Sequence, residues 1–162
     1  MKKIAVIMGS DSDLPVVKKA CDVFTELGVP FEVHVYSAHR TPDEVRDFTR
    51  AAEDNGFGAI IAAAGMAAHL GGAIAANTVL PVVAIPIRND TLDGLDALLS
   101  TVQMPGGIPV ATVGINGAAN AALLCCEILA VSDEDLRQRL KDKRKAAADA
   151  VLAKDRDIMS RL

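Results

Sequence analysis

The chain has 162 residues, 51% hydrophobic and 23% charged, a composition that suits one globular domain and excludes a disordered chain. Seventeen basic residues face 21 acidic ones, and aromatics make up 3% with no Trp. This argues against a general nucleic-acid binder, which needs a basic face with stacking aromatics, so any phosphate site must be local. No apolar stretch reaches the roughly twenty residues of a membrane span, and the run after Met1-Lys2-Lys3 is too short for a signal-peptide core. Cys21, Cys125 and Cys126 are too few and too apolar in setting for a disulfide framework. They read as reduced, buried thiols, and a cytoplasmic location is expected.

Ile4 to Met8 is a continuous apolar run and reads as a strand covered on both faces. Gly9-Ser10-Asp11-Ser12-Asp13 leads into a helix carrying Leu14, Val17, Cys21, Phe24 and Leu27, which Gly28 ends. Phe31, Val33 and Val35 then alternate with Glu32, His34 and Tyr36, a half-buried strand with His34 on the surface. Ser37-Ala38-His39-Arg40-Thr41-Pro42 follows, with Thr41 expected as N-cap, Pro42 as first helical residue and Glu44 closing a capping box. The helix it opens carries Val45, Phe48 and Ala52 and stops at Asn55-Gly56.

Ala59 to Ala64 is the third strand, and Gly65 to Gly72 leads into a small-residue helix ending near Asn77. Val82 to Ile85 is the fourth, closed by Pro86. A helix from Asp93 to Val102 should bury Leu95, Leu98, Leu99 and Val102. The turn-rich Met104 to Pro109 loop precedes a fifth strand, Val110 to Val113, and a buried helix from Asn116 to Ala130. Five strands alternating with helices predict an α/β fold, a three-layer αβα sandwich on a parallel doubly wound sheet, flavodoxin-like in outline. The division expected is a core over 1–131 and a long charged helix over 132–162, capped by Ser132 with Asp135. Leu136, Leu140, Ala147, Val151, Ile158 and Leu162 form a narrow apolar stripe there, suited to a neighbouring subunit or to the helix's own domain.

In a parallel sheet the loops after successive strands emerge on one edge, which gathers Ser10, Ser12, Asp13, Ser37, His39, Arg40, Ala64 and Gly65 toward one crevice. Arg40 with serine hydroxyls can hold a phosphate, Asp13 a ribose diol, and His39 can move a proton at neutral pH. A ribonucleotide substrate is the natural expectation. Each segment also has a plainer reading. The first loop suits simple helix capping, the second a solvated turn, and His69 either a second acid–base group or a histidine bonded to backbone. There is no Walker loop, GxGxxG, HExxH, CxxC or G-x-S-x-G, so neither a metal nor a cofactor is expected.

Taken together, Met8 to Asp13, Ser37 to Pro42, Ala67 to Leu70, Gln103 to Val110 and Asn116 to Leu123 resemble, in order, the phosphoribosylaminoimidazole carboxylase catalytic-subunit family of de novo purine synthesis. The resemblance implies a homo-octamer with sites shared between chains. Ala67-Ala68-His69-Leu70 resembles the branch that moves a carboxylate from the exocyclic nitrogen of N5-carboxyaminoimidazole ribonucleotide to C4. The other branch carboxylates aminoimidazole ribonucleotide with CO2. Met66 stands where many relatives have a second glycine, and Gly71 where many have proline. Carried over, Ser10, Asp13 and Arg40 are substrate-binding positions with Ser12 and Ser37 beside them, and His39 is the acid–base. A non-catalytic nucleotide-binding module is the alternative from another class.

Overall fold

Because Ile4 to Met8 is apolar at every position, a strand built from it needs cover on both faces. In the computed structural model, which describes residues 1–162, this run lies in β1 (Lys3–Met8) and is buried from Ile4 onward. The other strands are β2 (Phe31–Val35), β3 (Phe57–Gly65), β4 (Val82–Ile87) and β5 (Ala111–Thr112). They form one sheet in the order β2-β1-β3-β4-β5, with every pair parallel. The helices are α1 (Leu14–Leu27), α2 (Pro42–Ala51), α3 (Leu70–Ala75), α4 (Leu95–Val102), α5 (Ala118–Ala130) and α6 (Glu134–Ile158). This is the doubly wound flavodoxin-like sandwich expected. No helix is long and apolar enough to cross a membrane.

Alternation along β1 divides the interior in two. Ile4, Val6 and Met8 join Phe24 of α1, Cys125 of α5 and Leu136 of α6 in one core. Ala5 and Ile7 join Val45 of α2 and Leu70 and Ile74 of α3 in the other. Each fully buried isoleucine contributes about 1.5–3 kcal/mol. Gly28 ends α1 at φ 63°, where its N–H reaches the carbonyls of Phe24 and Thr25, a left-handed cap that glycine adopts freely.

Several local expectations are corrected. In β2, Val33 and Val35 are exposed, while the Glu32-His34-Tyr36 face turns toward α2. His34 is therefore only partly at the surface, its ring turned to α2. Its ring stacks on Tyr36 at 5.2 Å and meets Phe48 of α2 at 4.7 Å between centroids, and its Nε2 is buried without a hydrogen bond. The cause is position: β2 is an edge strand, and the α1–α5 layer reaches Phe31 but not beyond it. Thr41 makes no helix-capping bond, so there is no capping box with Glu44. Its Oγ1 instead accepts from the Ser37 N–H at 2.8 Å and donates to the Ser37 carbonyl at 3.2 Å, closing the loop on itself.

Pro86 does not close the fourth strand. It pairs with Ala64 and lies past Ala84↔Thr112, the last β4–β5 pair, so its missing N–H breaks no ladder on that flank. Its carbonyl accepts from the Asn116 N–H at 2.8 Å. β5 is shorter than expected, at two residues. In α4 the buried residues are Ala97 and Thr101, while Leu95, Leu99 and Val102 face outward. Small residues let this short helix sit close on the sheet, which leaves its leucine stripe unpartnered.

The cap of α6 is Asp133 rather than Ser132, its side chain accepting from the Leu136 N–H at 2.9 Å. The α6 stripe is divided. Leu136 and Leu140 are 0% and 7% exposed in their own domain, whereas Val151 and Leu162 are 63% and 96% exposed.

Candidate active site

The loops after β1, β2 and β3 meet at the carboxyl edge of the sheet around an open cleft of about 570 Å³, a size ordinary for small-molecule sites. After β1, Ser10 caps a short 3-10 turn over Asp11–Asp13: its Oγ accepts from the Ser12 N–H at 3.3 Å and the Ser12 hydroxyl at 2.8 Å. The capping reading thus holds for Ser10, yet both serines also line the cleft. Asp13 is only 8% exposed and caps nothing with its side chain. Burial pushes its carboxyl pKa up, against the lowering effect of hydrogen bonds at Ser10 and Ser12.

After β2, Ser37 organises the turn. Its Oγ accepts from the backbone N–H groups of His39 and Arg40, at 3.4 and 3.3 Å, and from Arg40 Nε at 3.4 Å. Arg40 then reaches across to the first loop, Nη2 donating to the Gly9 carbonyl at 2.9 Å. One arginine therefore joins two loops and presents its remaining N–H groups to the cleft. This is a fork suited to phosphate.

After β3, Gly65 is small because of a neighbouring strand: a Cβ there would sit 3.3 Å from the Ile87 carbonyl oxygen. Met66 follows at φ 55°, a left-handed conformation that favours glycine, with its side chain largely exposed. The turn brings His69 to the start of α3, where His69 Nδ1 lies 2.8 Å from His39 Nε2 with the rings edge to face at 86°. A hydrogen bond at that distance holds one proton between the two nitrogens, so one ring donates and the other accepts.

Every residue singled out in the sequence lines this cleft: Ser10, Ser12, Asp13, Ser37, His39, Arg40, Ala64, Gly65 and His69. Arg88 and Asn89 line it as well; a fourth strand ending at Pro86 leaves the loop that carries them outside the expected site. The rule that gathered the other loops, applied after β4, finds them. The Met104 to Pro109 loop lies outside the cleft of this chain. It leads into β5 from the amino edge of the sheet, where Gly107, Ile108 and Pro109 line a larger concavity of about 920 Å³. That concavity carries Arg50 and Glu53 but no histidine or serine, so the smaller cleft is the candidate site.

No cluster of three or more His, Cys, Asp or Glu side chains is placed to hold a metal ion. The α5 thiols are not nucleophiles. Burial pushes the Cys126 pKa up to about 12 and that of Cys125 further still.

Residues 3–150 match the family model described as AIR carboxylase. This chain belongs to the AIR carboxylase family. Among its relatives, the N5-carboxyaminoimidazole ribonucleotide mutase of Pyrococcus abyssi is 54% identical over 144 residues, 89% of this chain and 83% of that protein. The Escherichia coli K12 enzyme of the same name is 53% identical over 152 residues, 93% of this chain and 90% of its own length. The crystal structure of Treponema denticola PurE superposes with a TM-score of 0.87 at 26% identity, covering 95% of this chain and 96% of that one. The family thus spans the whole sheet and most of α6.

Proposed function

We propose that this chain is an N5-carboxyaminoimidazole ribonucleotide mutase of purine biosynthesis, an isomerase that moves a carboxylate from the exocyclic nitrogen to C4 of the imidazole. Relatives of that name at 53–54% identity support the reaction. The observation that carries the site assignment is the meeting of His39 and His69 beside Arg40 and the Ser10–Ser12 turn in one cleft.

In this reading the 5′-phosphate sits on Arg40, Ser10 and Ser12, and Asp13 holds the ribose hydroxyls. His39 protonates the exocyclic nitrogen as the carbamate C–N bond breaks, releasing CO2 into the cleft. C4 of the electron-rich imidazole then attacks CO2, and His39 accepts the C4 proton, restoring the aromatic ring and its own starting state. The protons balance, so no cofactor is required. Holding CO2 beside C4 replaces a bimolecular capture by a local one, potentially worth several kcal/mol. Ala64 and Gly65 supply the close backbone wall, and His69 fixes the proton-bearing edge of His39.

The assembly proposed is a homo-octamer in the cytoplasm, with residues 1–131 as the catalytic core and the outer part of α6 between subunits. The exposed stripe Val151, Ile158 and Leu162 and the outward Leu95, Leu99 and Val102 support association, and three free cysteines suit a reducing compartment. The alternative chemistry is direct carboxylation of aminoimidazole ribonucleotide by CO2. Purified protein without ATP should consume N5-carboxyaminoimidazole ribonucleotide and form the C4 carboxylate. Carboxylation of aminoimidazole ribonucleotide with bicarbonate, and no turnover of the carbamate, overturns the mutase reading.

A further inference from the structure

Met66 is the residue of the cleft whose backbone and side chain are at odds. Three residues other than glycine hold a left-handed backbone: Met66 at φ 55°, Asp93 at φ 53° and Asn116 at φ 56°. The last two offset the cost with side-chain bonds. Asp93 Oδ1 accepts from Arg88 Nε and Nη2 at 3.0 and 2.7 Å, and Asn116 Oδ1 accepts from the Arg88 N–H at 2.9 Å. A thioether offers no comparable bond. Nor does packing hold it, since Met66 belongs to neither core and is 65% exposed. The glycine of this turn stands one residue earlier, at Gly65, where the close approach of Ile87 needs it and no left-handed φ does. A glycine in place of Met66 would relax the turn, so the methionine serves something other than the fold.

The surroundings of the side chain indicate what that is. The apolar residues lining the cleft are Ala38, Ala64, Met66, Ala67, Leu70 and Ile87. Leu70 and Ile87 are fixed in the interior at 2% and 8% exposure, and the alanines end at Cβ. Met66 alone is long, apolar and free at the rim, in the same loop that carries His69 to His39. Its unbranched thioether has three rotatable bonds and adapts to whatever lies against it. The reaction proposed for the cleft passes through CO2, a small neutral molecule that offers no net charge for Arg40 or the serines to hold. Such a molecule is retained by walls, and Ala64 and Gly65 supply only one side of an open cleft.

We propose that Met66 is the cover of this cleft, its side chain folding over the bound nucleotide and keeping CO2 from solvent until C4 captures it. This rests on the mutase reading of the cleft. Without the cover the carbamate C–N bond still breaks, its electron pair staying on the nitrogen, which takes the His39 proton. CO2 then leaves for solvent, and 5-aminoimidazole ribonucleotide is released in place of the C4 carboxylate. The same apolar cover keeps water out of the cleft while the proton moves.

The test is a single turnover of N5-carboxyaminoimidazole ribonucleotide by the full chain and its variants, with protein in excess over nucleotide. The buffer holds bicarbonate labelled with heavy carbon, kept in equilibrium with CO2 by added carbonic anhydrase. Mass spectrometry reads the label in the C4 carboxylate and the yield of 5-aminoimidazole ribonucleotide, and a sample without protein sets the background. The unaltered chain should return almost all of the original carbon. Met66→Gly suits φ 55° and should melt no lower than the unaltered chain. It should raise both the label and the 5-aminoimidazole ribonucleotide about tenfold, the worth of one methionine's apolar cover. Met66→Leu should retain most of the carbon, and Met66→Gln, equally long but polar, should leak as glycine does. Equal label in Met66→Gly and the unaltered chain, free exchange already in the unaltered chain, or full retention by Met66→Gln overturns the cover while the mutase reading stands. A smaller assembly of Met66→Gly on a sizing column assigns Met66 to a subunit contact and overturns it too. An unaltered chain that forms no C4 carboxylate from the carbamate overturns both.

Discussion

His39 Nε2 lies 2.8 Å from His69 Nδ1, although thirty residues and the crossover through α2 separate them in the chain. A single shared proton makes the pair directional: whichever nitrogen donates, the other must be bare. His39→Asn should lower kcat by about 10²–10⁴-fold, the usual worth of a positioned acid–base group, while nucleotide affinity holds. His69→Asn should cost less in kcat, and the double variant should lose little beyond His39→Asn alone, because both act on one proton. Steady-state kinetics of the three variants with a calorimetric Kd for each checks this; additive losses would mean the histidines act separately.

Asp13 makes a stability prediction with a definite sign. Its folded-state pKa is raised above the ordinary 3.8 by burial, so the folded chain keeps this proton to higher pH than the unfolded chain does. Its effect is absent below 3.8. As pH rises from there through the folded-state value the unfolded chain ionises first and stability is lost. Asp13→Asn should therefore raise the thermal midpoint at pH 7 and lose that advantage in acid below 3.8, while weakening nucleotide binding. Thermal melts across pH, with one binding titration at pH 7, measure both.

Thr41 holds the second loop rather than the helix that follows it. Thr41→Val removes the acceptor of the part-buried Ser37 N–H and the donor to the Ser37 carbonyl. The unsatisfied N–H should cost about 1–3 kcal/mol in urea unfolding, and KM should rise as His39 and Arg40 lose their fixed root. Thr41→Ser keeps the hydroxyl and should keep most of both.

The divided stripe of α6 separates folding from assembly. Leu136→Ala should cost about 2–5 kcal/mol, since Leu136 is wholly buried in the larger core. Removing residues 147–162 strips only exposed positions of this chain, so the fold should survive while the assembly becomes smaller on a sizing column. An unchanged elution volume would remove the outer half of α6 from the subunit interface.

The central strands and the convergence of the site were legible in the sequence because each rests on local chemistry. Runs apolar at every position, Ile4 to Met8 and Ala59 to Ala64, can only be strands covered on both faces, and a parallel sheet must then send its loops to one edge. That argument alone assembled Ser10, Asp13, Ser37, His39, Arg40 and Gly65. Alternation, however, says which residues share a face and not which face is covered. Only the neighbours decide that, and so the edge strand turned His34 inward and Val33 outward, and α4 buried Ala97 rather than its leucines. Side chains choose hydrogen-bond partners in the same way. Thr41 met Ser37 instead of the helix behind it, and Arg88 met Asp93. The sequence by itself determined the sheet, the edge at which its loops meet and the residue types placed there. The contact of His39 with His69 came only from the tertiary structure, because it depends on the order in which the strands lie side by side.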